Sequence, residues 1–171
     1  MSLAFGHLIG AWLVGKIYEF FSKRKIHHYG WFFLLLGGIL PDIDFLFDWT
    51  LNLNLHRTVT HSLLFAIIIP LTLFFVLKLQ QDKQAKHFSL ALATGILVHL
   101  SLDFISLQGI PLFWPYLIYF SPFRIGPYLA SISFFSNNIS ILIKELKFAV
   151  LDMAIGTTWI FYLLLRKKLR L

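Results

Sequence analysis

Residues 88–107, FSLALATGILVHLSLDFISL, form an apolar stretch that also carries His99 and Asp103. A membrane-spanning helix needs about 20 mostly apolar residues, and this stretch has that length. Similar stretches lie at residues 3–21, 31–47, 59–79 and 148–165. The pattern predicts an all-α, polytopic membrane bundle of about five transmembrane helices, with residues 1–171 as a single membrane-embedded helical domain.

The composition favours a membrane protein and excludes several other classes. Hydrophobic residues make up 58% of the 171 residues, and charged residues make up 13%, against about 25% in soluble domains. A soluble globule of this size could not bury so much apolar surface, because small chains bury a low fraction of their surface. The absence of cysteine excludes a disulfide scaffold.

The basic residues predict the orientation in the membrane. They lie in short clusters between the apolar stretches, which is typical of cytoplasmic loops facing anionic lipid and not of a nucleic-acid-binding surface. Ten of the fifteen lie in the first loop, the third loop and the C-terminal tail: Lys23, Arg24, Lys25, Lys78, Lys83, Lys86, Arg166, Lys167, Lys168 and Arg170. We therefore expect an inner- or plasma-membrane protein with its N-terminus outside and its C-terminus in the cytoplasm. Its expected partners are membrane lipids and no nucleic acid, and the oligomeric state stays open.

The segment at residues 108–147 is apolar but contains Pro111, Pro115, Pro122 and Pro127. Proline at this density interrupts a continuous helix. We therefore predict a re-entrant or interfacial segment in its first half, followed by a helix at residues 127–143. If that helix also crossed the membrane, the basic tail would lie outside, so the charge distribution favours five spans.

Seven His and Asp side chains lie at a similar depth on the predicted extracytoplasmic side. They are His7, Asp42, Asp44, His56, His61, His99 and Asp103. Ionisable groups at membrane depth are costly, so they face the bundle interior and pair or bind a ligand. His99 and Asp103, four residues apart, project from one face of a helix. His and carboxylate groups suit Zn²⁺, with Mn²⁺ or Fe²⁺ as chemical alternatives, so this set predicts a metal site.

The two carboxylates of the second apolar stretch need a break in the helix to act together. Asp42 and Asp44 are two residues apart and would diverge in a regular helix. Gly37, Gly38 and Pro41 precede or adjoin them, and these residues favour an interruption that turns both carboxylates toward one cavity.

The third apolar stretch begins near two histidines. His56 and His61 lie five residues apart around the predicted start of a helix, for which Thr58 or Thr60 is the expected N-cap. Ser62 follows His61 directly, and adjacent residues on a helix do not face each other. A serine hydrolase with this pair as nucleophile and base is therefore disfavoured.

Five motifs carry a resemblance to a known family. They are GHLIGAWLVG at residues 6–15, GGILPDIDF at 37–45, HRTVTHSLLF at 56–65, GILVHLSLDFIS at 95–106 and GIPLFWP at 109–115. In order and context they resemble the LexA-binding, inner-membrane-associated metal-dependent hydrolases (YdjM-like), over about residues 6–115. The resemblance implies a metal-dependent hydrolase in the inner membrane.

More distantly, the chain is similar to the zinc-dependent phospholipase C and P1 nuclease superfamily. The shared layout is a carboxylate, a His fourteen residues later, and H-x-x-x-D, here Asp42, His56, and His99 with Asp103. This likeness implies phosphoester hydrolysis at a zinc cluster. The later His and carboxylate pair of that superfamily is missing, since no His follows His99. One or two ions are therefore expected rather than three.

These features together predict a zinc-dependent hydrolase that cleaves a phosphoester, most naturally a phospholipid, through a metal-activated water. Asp42 or Asp44, if it is not a metal ligand, would act as general base, and the Arg57 guanidinium would hold the phosphate oxygens. Two other functions stay open. One is an ion or proton transporter lined by the same His and Asp residues. The other is a non-catalytic membrane adaptor with a structural metal.

Overall fold

The computed structural model describes residues 4–44, 58–105, 109–116, 118–122, 124–129, 150–152, 154–159 and 162. This part of the chain is mostly helical. Its α-helices are α1 at Ala4–Ser22, α2 at His28–Ile39, α3 at Leu63–Leu79 and α4 at Ala85–Ile105. The described residues between 150 and 162 are helical as well. The predicted helical class is therefore confirmed in outline.

Helix α4 is the centre of the described bundle, and it packs against α1, α2 and α3. Its buried face carries Leu92, Ile96 and Leu100, which form the apolar core together with Ala66 of α3 and with Ile110. His99 and Asp103 of α4 are also buried, and they lie toward its C-terminal end. The core therefore supports the polar site directly.

Helices α2 and α4 approach each other backbone to backbone, because each has a glycine where they cross. A Cβ atom at Gly37 would collide with the carbonyl oxygen of Leu92, and one at Gly95 would collide with the carbonyl oxygen of Leu34. Small residues permit such close crossings between membrane helices. This crossing places the C-terminal end of α2 against the last turns of α4.

The predicted break in the second apolar stretch is confirmed. Helix α2 ends at Ile39, and a 3-10 turn over Leu40–Ile43 follows, with Pro41 in its first positions. Proline has no N–H to donate and disfavours continuation of an α-helix through it. The turn therefore redirects the chain just where Asp42 and Asp44 occur.

Part of the segment predicted to be re-entrant forms a β-hairpin, which corrects the all-α prediction locally. Strand β1, Ile118–Ser121, pairs antiparallel with strand β2, Arg124–Leu129. A further bridge joins Ile110 to Phe120. The aromatic and β-branched residues here suit a pleated strand. Residues 127–129 of the helix predicted at 127–143 belong to β2, and the remainder lies outside the described residues.

Among the described residues, one helix, α4, is long and apolar enough to cross a membrane. Helix α3 is apolar but has 17 residues, and α2 has 12, both short of the length that a span needs. Lys16 and Glu19 lower the mean hydropathy of α1. The prediction of five spans is therefore not supported, because turns end several apolar stretches early.

Candidate metal centre

Four side chains from separate parts of the chain converge beside the C-terminal end of α4. Asp42 comes from the turn after α2, His61 from a 3-10 turn before α3, and His99 and Asp103 from α4. One possible ligand atom from each residue lies within 4.8 Å of the other three. Both histidines and Asp103 are almost fully buried. The structure thus brings together four of the seven residues that the sequence indicates.

The distances within this group fit the spacing of ligands around one small cation. Nε2 of His61 lies 3.1 Å from Oδ2 of Asp103, 3.3 Å from Nε2 of His99 and 3.5 Å from Oδ1 of Asp42. Nε2 of His99 lies 3.6 Å from the same two carboxylate oxygens. Ligand bonds of about 2.0–2.1 Å in a tetrahedron place the ligand atoms about 3.3–3.4 Å apart. The group could therefore hold a single ion with only small side-chain shifts.

The ring of His99 is oriented by the backbone of α2. Its Nδ1 lies 2.8 Å from the carbonyl oxygen of Gly38. A carbonyl only accepts hydrogen bonds, so Nδ1 donates, and in the neutral ring Nε2 has the lone pair. Metal-binding histidines commonly use their second nitrogen in this way. The close crossing of α2 and α4 brings the Gly38 carbonyl within reach.

The ring of His61 is oriented by a hydrogen-bond chain through Thr60 to Asp44. Oγ1 of Thr60 donates to Oδ2 of Asp44 at 2.5 Å and lies 3.0 Å from Nδ1 of His61. Because the hydroxyl hydrogen goes to the carboxylate, the hydroxyl oxygen accepts from Nδ1–H. Nε2 of a neutral His61 is then also unprotonated. Asp44 lies on the Nδ1 side of the ring, and Asp42 lies on the Nε2 side.

Two unprotonated Nε2 atoms that face each other repel unless a cation or a proton lies between them. A divalent ion bound by His61 and His99 would satisfy both rings at once. Asp42 and Asp103 would balance its charge, since a buried charge needs a partner or a metal. The donor set therefore fits a metal ion, and the identity of that ion is open.

His7 of α1 adjoins this group without being one of its four members. Its ring stacks on that of His99 with centroids 3.9 Å apart. Its Nε2 lies 3.3 Å from Oδ1 of Asp103, the oxygen on the other side of the carboxylate from His61. His7 is 3% exposed. The remaining predicted site residues, His56 and Arg57, lie outside the described residues.

The predicted N-cap of the third apolar stretch is corrected. Ser62, rather than Thr58 or Thr60, caps α3, and its hydroxyl accepts the N–H of Phe65 at 3.2 Å. The same hydroxyl donates to the carbonyl of Val59 at 2.6 Å. The cap therefore lies one residue after His61, which leaves Thr60 to orient the His61 ring.

A carboxylate far along the chain caps the N-terminal end of α1 and so supports the turn that carries His7. The sequence-based prediction does not include this cap. Asp152, in the C-terminal helical residues, accepts the N–H groups of Phe5 and Gly6 at 3.0 Å each, and it is 6% exposed. A carboxylate there satisfies unpaired N–H groups and interacts favourably with the helix dipole. The cap holds the turn of α1 that carries His7. A single Asp within an apolar stretch is the sequence signal for it.

Fold and site together define a mostly helical protein with a buried Asp–His–His–Asp group that could bind a metal ion. The sequence matches the YdjM inner membrane protein family over residues 1–169, and the chain belongs to this family. The resemblance to YdjM-like proteins drawn from residues 6–115 is thus confirmed over nearly the whole chain, as is the inner membrane, whereas the family match does not show hydrolase activity. No curated protein and no solved structure matches the chain. None of these comparisons supports the likeness to the phospholipase C and P1 nuclease superfamily.

Proposed function

We propose that the chain is a membrane-embedded, metal-dependent hydrolase of a phosphoester, most naturally a phospholipid. The observation that carries this proposal is the pair of histidines whose Nε2 atoms face one point between Asp42 and Asp103. We expect one or two zinc ions per chain. When bound, zinc supplies Lewis acidity and a water of lowered pKa.

The exposure of the four side chains suggests which of them bind the ion and which one accepts a proton. His61, His99 and Asp103 are nearly inaccessible, so they would hold the ion. The side chain of Asp42 is 15% exposed and marks the side from which water and substrate reach the group. Asp42 is therefore our candidate to accept a proton from the attacking water.

The surrounding residues take supporting roles in this proposal. Asp44 positions His61 through Thr60 instead of acting as the base, because it lies on the far side of that ring. A second ion, if two bind, would take His7 and Oδ1 of Asp103 as ligands. Arg57 remains the sequence-based candidate for holding the phosphate oxygens.

The test is metal content and hydrolysis on the purified full-length protein. Wild type is expected to contain about one or two zinc ions per chain and to cleave phospholipids or model phosphodiesters. His99→Ala and Asp103→Ala should lose turnover while remaining folded. His28→Ala, which changes an exposed histidine that lies outside the group, is the control. Turnover that survives in either site variant would overturn the assignment.

The same preparation distinguishes the two other functions. Metal-dependent ion flux into liposomes without any hydrolysis would identify a transporter. A chelator that unfolds the protein, combined with no hydrolysis of any phosphoester, would identify an adaptor whose metal is structural.

The proposal keeps the orientation that the basic residues predict, with the N-terminus outside, the C-terminus in the cytoplasm and the site on the extracytoplasmic side. The chain has no cysteine, so single reporters Lys23→Cys and Lys83→Cys can test it. An impermeant maleimide should label both in inverted membrane vesicles only. Labelling in right-side-out vesicles would contradict this orientation.

A further inference from the structure

A cavity of about 620 Å³ lies between α1, α2 and the beginning of α4, at the end of the bundle away from the metal centre. Val14, Leu34, Phe88 and Ala91 line its apolar wall. Phe88 and His99 are eleven residues apart on α4, which is about 16 Å along a helix. The cavity is therefore separate from the metal centre. Its volume falls within the range of about 300–1,000 Å³ that is usual for small-molecule sites.

Basic residues surround the mouth of this cavity. Arg24, Lys25 and His87 line it and are exposed. Two carboxylates lie near them. Glu19 forms ion pairs with Lys16 at 2.8 Å and with Lys25 at 3.8 Å, and Asp82 accepts the N–H of Gln84, a lining residue, at 2.7 Å. Within the described residues Arg24 forms no ion pair, so its guanidinium keeps a positive charge at the mouth that suits a phosphate group.

The cavity also opens sideways onto the apolar surface of the helices. Tyr18 on α1 and Leu90 on α4 line it, and each is more than half exposed. An acyl chain could enter between these two residues from the surrounding bilayer. A positive mouth above an apolar wall is complementary to an amphiphile with a negatively charged head.

We propose that this cavity binds an anionic phospholipid, with its phosphate against Arg24 and Lys25 and one acyl chain along the wall between α1 and α4. Charge complementarity selects an anionic lipid over a zwitterionic one, because the basic mouth attracts net negative charge. This lipid is a bound ligand distinct from the substrate of the metal centre, so the inference does not depend on the proposed hydrolase function.

The test is native mass spectrometry of the full-length protein taken from membranes with equal phosphatidylglycerol and phosphatidylcholine. Wild type should retain phosphatidylglycerol preferentially. Arg24→Gln with Lys25→Gln should lower that retention at least about fivefold more than Lys23→Gln with Lys86→Gln. The control pair removes the same charge at the same end of the bundle but does not line the cavity.

A second variant tests the apolar wall with every charge kept. Ala91→Phe should fill the path of the acyl chain and abolish selective retention while the Tm stays unchanged. The soluble headgroup glycerophosphoglycerol should not displace the lipid, since it has no chain. Four results would each overturn the proposal. Two concern binding in general: equal losses in the two double variants, or no preference over phosphatidylcholine. The other two concern the acyl chain: normal retention in Ala91→Phe, or displacement by the headgroup alone.

Discussion

The Nε2 atoms of His61 and His99 lie 3.3 Å apart, although 38 positions separate the two residues in the chain. The other nitrogen of each ring is hydrogen-bonded, to the Thr60 hydroxyl in one case and to the Gly38 carbonyl in the other. Each neutral ring therefore directs a lone pair at the same point. Neither histidine alone indicates a metal centre as strongly as this opposition of the two rings.

Replacing His61 by Ala removes one of the two opposed lone pairs. We expect zinc affinity to fall more than about 100-fold, beyond the usual effect of residues that only orient a ligand. Zinc content after dialysis against a graded chelator measures the loss. His28→Ala, at an exposed position before Tyr29 in α2, should bind zinc as wild type does. Normal zinc affinity in His61→Ala would contradict the four-residue centre.

Thr60→Val keeps the size of the side chain and removes the hydroxyl between Asp44 and His61. The His61 ring then loses its orienting partner, and we expect zinc affinity to fall by about 10–100-fold. Isothermal titration of the metal-free protein measures this change. Thr72→Val is the control, because the hydroxyl of that exposed threonine donates to the Ile68 carbonyl in its own helix. If both variants bind zinc equally well, the hydroxyl does not orient His61.

Gly95→Ala places a methyl group against the Leu34 carbonyl and the Gly37 backbone. The two helices must separate, and we expect a loss of about 1–3 kcal/mol in the free energy of unfolding, measured by denaturant titration in detergent. Zinc affinity should fall too, because the Gly38 carbonyl moves away from His99.

Gly10→Ala is the matched control for this prediction. Among the described residues, the three atoms nearest to a Cβ there belong to the side chains of Leu102 and Val98, which can shift. Its stability should stay within about 1 kcal/mol of wild type, with the gain in helix propensity offsetting crowding. An equal loss in both variants would show that the backbone crossing has no special role.

Asp152→Asn removes the negative charge that caps α1. One amide oxygen cannot reproduce two charge-assisted hydrogen bonds, so we expect a loss of about 1 kcal/mol in stability. Hydrogen exchange at the N-terminal turn of α1 should quicken. Asp82→Asn, whose exposed carboxylate accepts the N–H of Gln84, should change stability by only a few tenths of a kcal/mol. Unchanged exchange in Asp152→Asn would exclude the capping role.

Several features of the site can be predicted from the sequence because they depend on local chemistry. Ionisable side chains within apolar helices are costly, which singles out His99 and Asp103 in the apolar stretch of α4. Their four-residue spacing puts them on one helix face. The break after α2 follows from Pro41, which disfavours continuation of the helix. Two of the family motifs, GGILPDIDF and GILVHLSLDFIS, contain these same residues.

Other features depend on contacts between distant segments, and only the tertiary structure establishes them. Apolar length cannot show where a helix ends, so five spans were predicted where one helix, α4, meets the requirement among the described residues. Asp42 and Asp44 look equivalent in the sequence, yet they lie at opposite nitrogens of the His61 ring. The Gly38 carbonyl reaches the ring of His99 across 61 positions because two glycine-bearing helices cross closely. Close backbone packing, which no local pattern encodes, decides which groups meet.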